Sequence, residues 1–480
     1  MNMAFDENVL HRMVSLAVSQ GADYADIRYE TSVSESAGAE DGKPKDAGMH
    51  VDEGFGIRAR VGGAWGFASV STAGDLPVSR LNSAVSSAVA AARASSKYSK
   101  KLEMAPMPAS GKYITKVRTD PFKVSLDEKM ALCVEASKRM SSTKGIAMSA
   151  ASIGCERIKK WFVSSEGSSI LQDQTFILGG LFALAKDGPV TDFYMTTEGG
   201  QRGFEALSTE YDFVSESDGI AAKANEIVHA ASPKPKETTV VVDPDAMALV
   251  VHEIAGHPVE ADRVLGWEAA WAGTSWWADM QGKQIGSENV TIVSDASIPG
   301  YLGSYGFDDE GIPARRVVHM EKGVLKDFLH SRETGAITKS KPGGAMRAVG
   351  FQFAPIIRMT NTYMENGDWK AEEIIEDTKD GVYLCGHHTP SIDAKRYNFQ
   401  IRVKTAYEIK NGEIGKPLRA VSLGGTSDRF WSSIDAAGDD LVMRPVPNCG
   451  KGDPMQTCMV GNGGPTVRAK ARISGVSAGN

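Results

Sequence analysis

The stretch Val240-Val241-Val242-Asp243-Pro244-Asp245-Ala246-Met247-Ala248-Leu249-Val250-Val251-His252-Glu253-Ile254-Ala255-Gly256-His257 reads as a β-strand running directly into a helix. Three consecutive valines favour an extended backbone. Asp243 is a good N-cap, and Pro244 falls at the first helical position, where a missing N–H is harmless. Met247, Val250, Val251 and Ile254 then form an apolar stripe at helical spacing. The helix ends in His252, Glu253 and His257, the pattern HExxxH. In the familiar zinc-peptidase pattern HExxH the histidines are four apart and share a face. Here they are five apart, which on a regular helix turns them about 140° away from each other. Both reach one metal only if the helix widens locally, as in a π-bulge. Gly256 makes that distortion easy, and Pro258 pushes His257 off ordinary α geometry.

If the histidines share a metal, Glu253 beside the first of them is the group that deprotonates a metal-activated water and shuttles the proton. A catalytic zinc takes three protein ligands and keeps one position open. Candidates for the third are Glu260, Asp262, Cys449, Cys458 and the Cys385/His387/His388 cluster. Cys449 stands in the turn-rich run Pro447-Asn448-Cys449-Gly450-Lys451-Gly452, where a thiol has little packing reason to exist. Were Cys449 and Cys458 both ligands, the site would be closed, four-coordinate and structural, and Glu253 would have no task.

Working outward, the chain downstream of Ala231-Ser232-Pro233-Lys234-Pro235-Lys236, read as a linker, is mostly β. Residues 397–409 alternate Phe399, Ile401, Val403, Thr405, Tyr407 and Ile409 with polar residues, and Asn411-Gly412 follows as a hairpin signal. A second hairpin is expected through Glu321-Lys322-Gly323. Upstream, helices are expected over 6–20, 75–95 and 219–230, and a hairpin over 54–71 turning at Gly62-Gly63. The fold class expected is α+β: an N-terminal mixed α/β region (1–230, divisible into 1–105 and 106–230), then a β-rich C-terminal domain (237–480) of mainly antiparallel strands carrying the metal-binding helix.

Composition narrows the function. The 480 residues hold 53 Lys+Arg against 60 Asp+Glu, a net charge of -7, which disfavours nucleic-acid binding. The opening MNMAFDENVL is no secretory signal, and the longest apolar run, 176–185, falls far short of the roughly 20 residues of a membrane helix. Five scattered cysteines make no disulfide framework. A cytoplasmic protein with reduced thiols is expected. No nucleotide-binding glycine motif is present, and Gly475-Val476-Ser477-Ala478-Gly479 matches GxSxG with no room for the helix that a serine elbow needs.

HEIAGH at 252–257 and CGK at 449–451 resemble the signature of the TldD/PmbA family, on the TldD (metallopeptidase) side. Weaker patches at 21–26, 308–311 and 358–364 extend the resemblance over most of the chain. It implies zinc held by His252, His257 and Cys449, with Glu253 as catalytic acid/base, and hydrolysis of short or unfolded peptides. It further implies a dimer, either of like chains or with a PmbA/TldE-type homologue lacking HExxxH. The family's older label, modulator of DNA gyrase, leaves a non-catalytic regulator acting through a protein partner as the alternative.

Weaker signals remain. Trp267, Trp271, Trp276 and Trp277 are read as packing, with a wall or lid over a peptide channel as the functional alternative. Asp308-Asp309-Glu310 is read as a solvated turn in preference to a second metal site. Arg358 and Asn361 are candidates for substrate recognition, with an ordinary strand equally open. Peptide substrate is expected to bind extended, beside a sheet edge.

Overall fold

A computed structural model describes residues 6–72, 77–99, 102–270 and 273–475. The first five residues, Trp271 and residues 476–479 of the GxSxG match lie outside them.

The chain opens with α1 (Asn8–Ser19), then β1 (Tyr24–Glu40), β2 (Lys43–Val61) and β3 (Ala64–Ser71). Gly62 and Gly63 supply the positive φ of the β2–β3 turn, as their sequence suggests. After α2 (Val78–Ser95), β4 (Ser110–Ile114) and α3 (Leu126–Ser141) come the long strands β5 (Ile146–Ser164), β6 (Ser169–Asp187) and β7 (Val190–Gly200). They join one sheet in the order β3-β2-β1-β5-β6-β4, with β7 beside the second half of β6. The short α4 (Glu205–Ser208) and α5 (Phe213–His229) follow. α5 starts earlier than the 219 expected because Asp212 caps it, its carboxylate accepting from Ser215 N at 3.1 Å.

This sheet is covered on both sides, so Tyr24 to Glu30 of β1 are all buried. Ala25, Ile27 and Tyr29 pack with the core beneath α1 and α2, and α3 and α5 cover the β5–β6 half. Asp26, Arg28 and Glu30 carry the opposite pleat and pair with Arg58, Asp309 and Lys160 respectively, Asp309 coming from the chain beyond residue 300.

β8 (Lys236–Val242) starts the second half and leads into α6 (Pro244–Val251). β8 pairs in parallel with strand Asp380–Ile392 and antiparallel with Val467–Gly475. Val467–Gly475 pairs with Val421–Thr426, that strand with Asn398–Lys410, and Asn398–Lys410 returns to Asp380–Ile392, closing a five-stranded barrel. Closure on both sides of β8 explains its run of three fully buried valines. A second, six-stranded sheet ends in Asn361–Met364, Gln456–Gly464 and Val442–Lys451. α6 packs between the barrel strand Asp380–Ile392 and the Val442–Lys451/Gln456–Gly464 hairpin, so it is buried all round. The expected α+β class is what the structure shows, and no helix among the described residues is long and apolar enough to cross a membrane.

One expectation is corrected here. Asp308, Asp309 and Glu310 are not solvated: they are 4%, 4% and 3% exposed. Asp309 accepts from Lys160 Nζ at 2.7 Å and lies 3.6 Å from Arg28, while Glu310 lies 3.5 Å from Arg58. Backbone N–H groups of Glu310, Ile312 and Met346 donate to Asp308. Asp309 and Glu310 are counter-charges of the N-terminal sheet's inward face, buried because they are paired, whereas Asp308 is held by backbone N–H groups, and burial with Glu310 beside it pushes its carboxyl up to about 8.

Candidate metal centre

Asp243 caps α6 as expected, Oδ1 accepting from Ala246 N at 2.7 Å, and it also accepts from Gly386 N at 3.0 Å. That second bond ties the start of the helix to the barrel. At its other end the helix widens: His252–Gly256 is a π-turn, with His257 N donating to His252 O at 3.1 Å. A Cβ on Gly256 would stand 2.9 Å from Met359 Sδ, so glycine suits the close packing of the turn's outer face on Met359.

The widening brings the two imidazoles edge to face, centroids 4.9 Å apart. Cys449 comes in from strand Val442–Lys451, its Sγ 3.8 Å from His257 Nε2. One donor atom from each of His252, His257 and Cys449 lies within 4.8 Å of the others, and all three residues are buried. A zinc with ordinary Zn–N and Zn–S bonds in tetrahedral geometry separates such donors by about 3.6 Å, so the cluster matches a zinc site with little movement.

The partners of the other ring atoms point the same way. His252 Nδ1 meets Asn462 Oδ1 at 2.9 Å, and His257 Nδ1 meets Glu260 Oε2 at 3.2 Å. Each Nδ1–H is thereby fixed and each Nε2 lone pair left for a metal. Glu260 accepts from Arg263 Nε at 2.7 Å and lies 3.3 Å from Lys451 Nζ, which donates to both oxygens of Asp262 at 2.7 Å and to Ile357 O at 2.8 Å. Burial opposes ionisation of Glu260, but Lys451, Arg263 and His257 outweigh it and hold its carboxyl well below the usual range. Burial alone would also push the Cys449 thiol up; the two imidazoles reverse this and bring it well below its ordinary value. Against the lowering effect of burial, Cys449 raises His252 to about 9. Such a thiolate–imidazole cluster gives up protons when a metal binds.

The cluster opens into a cleft of about 420 Å³ lined by Glu253, Arg396, His387, His388, Arg444 and, across from them, Met195 to Glu198 of β7. Glu253 Oε2 accepts from Arg396 Nη1 at 2.6 Å. A neighbouring cavity of about 560 Å³ shares Glu198, Asp245, Lys404 and Arg444 with the cleft and lengthens it.

The structure thus brings His252, His257, Cys449 and Glu253 together. Cys458 lies opposite Cys449 in the ladder, but its thiol contacts Met459 O and is not in the donor cluster. Glu260 and Asp262, weighed as ligands, support His257 and Lys451. Cys385 is not in the cluster either. Arg358 and Asn361, expected as candidates for substrate recognition, are fully buried and outside the cleft. Arg358 donates to the carbonyls of Cys449 and Gln456, and Asn361 to Asp295 O and Ser304 Oγ. These bonds hold the cysteine strand and a neighbouring loop. Trp277 is buried and Trp267 half exposed. Asn462, Arg396 and the role of Lys451 escaped the sequence reading; only Lys451, beside Cys449, carried a local signal.

Three family models match: the PmbA/TldA metallopeptidase domain 1 over residues 25–92, the central domain over 119–231 and the C-terminal domain over 235–475. A metalloprotease of Methanocaldococcus jannaschii is 32% identical over 94% of this chain and 97% of its own length. A zinc metalloprotease TldD homolog of Saccharolobus solfataricus is 27% identical over 96% and 98%. The crystal structure of TldE from Thermococcus kodakarensis has the same fold, with a TM-score of 0.76 at 18% identity over 97% of this chain and 100% of that one.

Proposed function

This chain belongs to the PmbA/TldD metallopeptidase family, and we propose that it is a zinc-dependent peptidase of short or unfolded peptides. His252, His257 and Cys449 are its metal ligands and Glu253 its general base and acid. The observation that carries this reading is the buried two-histidine, one-cysteine cluster opening into a cleft that Glu253 also lines. Three donors and an open side suit catalysis; a structural site takes four. The donor set, borderline-soft nitrogen with one thiolate, suits zinc.

Bound there, zinc supplies Lewis-acid polarisation of the scissile carbonyl and lowers the pKa of a water. Glu253 takes the proton of the attacking water and returns it to the leaving amine. Asn462 and Glu260 hold the ligand imidazoles in the tautomer that leaves Nε2 free. Among the described residues, β7 pairs only with β6, and Val442–Lys451 only with Gln456–Gly464. Both strands line the cleft, so a peptide is offered an unpaired strand edge. Main-chain pairing of this kind favours extended, unfolded substrates over any particular side chain.

The peptidase is proposed to act as a dimer, with a second copy or with a PmbA/TldE-type homologue lacking HExxxH. Metal per chain, measured in protein purified without added metal, tests the site. About one zinc is expected in wild type, Cys458→Ala and Glu253→Ala, and none in Cys449→Ala. Glu253→Ala is expected to lose on the order of 10²–10⁴ in rate. Zinc lost with either cysteine would indicate a closed site, and full peptidase activity in Glu253→Ala would refute the mechanism.

A further inference from the structure

We propose that Arg396 is the positioning residue for Glu253, and that the tryptophan-bearing segment 273–277 serves to hold the loop presenting it. The kinetic part rests on the peptidase reading; the geometric part does not.

Glu253 sits on the π-turn with its side chain 9% exposed, and Arg396, 18% exposed, reaches it from the loop between strands Asp380–Ile392 and Asn398–Lys410. The 2.6 Å contact between Arg396 Nη1 and Glu253 Oε2 is a short, charge-assisted bond, and it fixes the direction in which the carboxylate points.

The loop itself is tied on every side. The carboxylate of Asp393 accepts from the backbone N of Lys395 at 3.1 Å, Tyr397 at 2.9 Å and Asn398 at 2.9 Å. Arg396 has a φ of 61°, a left-handed conformation that a side-chain-bearing residue adopts only where its surroundings enforce it. From outside, Thr274 N donates to Ala394 O at 2.8 Å and Trp276 N to Lys395 O at 3.0 Å, while Ser427 Oγ donates to Arg396 O at 2.8 Å. Trp276 meets the Tyr397 ring at 5.6 Å and Trp277 at 6.1 Å, both edge to face. Gly273 comes so close that a Cβ there would lie 2.1 Å from Ala394 O. A turn that merely joins two strands needs none of these clamps. One that must hold a guanidinium on a catalytic carboxylate needs them, because a misplacement of about 1 Å costs up to about 100-fold in rate.

The test compares zinc-loaded crystals of wild type, Arg396→Ala and Arg396→Lys, with zinc content and with kinetics on unstructured peptides followed by mass spectrometry. In Arg396→Ala the Glu253 carboxylate is expected to leave its wild-type position while zinc stays at about one per chain. The turnover number should fall about 10- to 100-fold with KM changed less than about twofold. Added methylguanidinium should restore part of that loss, and none of the loss in Glu253→Gln. Arg396→Lys keeps the charge without the planar fork and should fall between. An unmoved Glu253 in Arg396→Ala would overturn the proposal, as would a raised KM at unchanged turnover, which would make Arg396 a substrate contact. If Glu253 moves but wild type and Glu253→Gln are equally inert towards peptides, the positioning stands and the peptidase reading falls.

Discussion

Replacing Lys451 with methionine isolates the contribution of the buried charges behind the metal cluster. Lys451 is 1% exposed, and its ammonium faces both oxygens of Asp262 at 2.7 Å and Glu260 at 3.3 Å. With Arg263 it balances those two carboxylates charge for charge. Methionine keeps most of the volume and leaves two buried anions sharing one cation. Removing one partner of a buried pair costs about 3–5 kcal/mol. Lys451 is also the largest of the influences that hold Glu260 ionised. Without it Glu260 binds a proton more readily and weakens its grip on His257 Nδ1. Loss of such a support typically weakens metal binding about 10- to 100-fold. Thermal unfolding measures the first effect, and chelator competition for zinc the second. The sign of the pH dependence follows from the depressed carboxyl. Its stabilisation is complete above the unfolded-chain value of about 4.3 and disappears as the pH falls, so wild type and variant should converge in acid. Adding Asp262→Leu removes the second charge and should recover part of the stability. A Lys451→Met protein with wild-type melting and zinc affinity within twofold would refute the reasoning.

Asn462→Ala frees His252 Nδ1 and should lower zinc affinity about 10- to 100-fold with the fold intact, while Asn462→Asp, which keeps an acceptor, should stay near wild type; chelator competition decides. Asp309→Ala strips the counter-charge from buried Lys160 and Arg28 and should cost about 3–5 kcal/mol, read as a lowered urea midpoint.

What the sequence disclosed is what local chemistry can encode. The N-cap at Asp243, the turns at Gly62-Gly63 and Asn411-Gly412, and the π-turn are each written in a few adjacent residues, and the structure has all of them. Cys449 was legible as a thiol in an unlikely place, though not as the sole sulfur of the cluster, because its relation to Cys458 depends on a cross-strand register. Asp308-Asp309-Glu310 misled because a run of acids looks solvated unless its partners are known, and Arg28, Arg58 and Lys160 lie about 150–280 positions away. Arg396 was invisible for the same reason: it stands in an ordinary-looking turn, 143 positions from the carboxylate it holds. Strands covered on both faces, such as the first part of β1, lose the alternation that would have marked them.

The extra residue in HExxxH is best understood through angles. On a regular helix Glu253 and His257 lie about 100° and 140° around from His252, so ligands and base would spread over well more than a quarter of the cylinder. A turn closed by an i→i+5 bond holds about 4.4 residues, which places Glu253 about 80° and His257 about 50° from His252. The widening therefore gathers both proposed ligands and the proposed base into one sector, with His257 between the other two. No backbone hydrogen bond is given up at the closing position, since His257 N still meets His252 O. Gly256 lets Met359 pack close, since a Cβ there would stand 2.9 Å from its Sδ, and Pro258 has no N–H to give Ile254 O, which accepts from Trp431 Nε1 at 3.3 Å. A spacing of five is thus a second route to the convergence that HExxH reaches with four. From that sector Glu253 Oε2 accepts from Arg396 Nη1 at 2.6 Å.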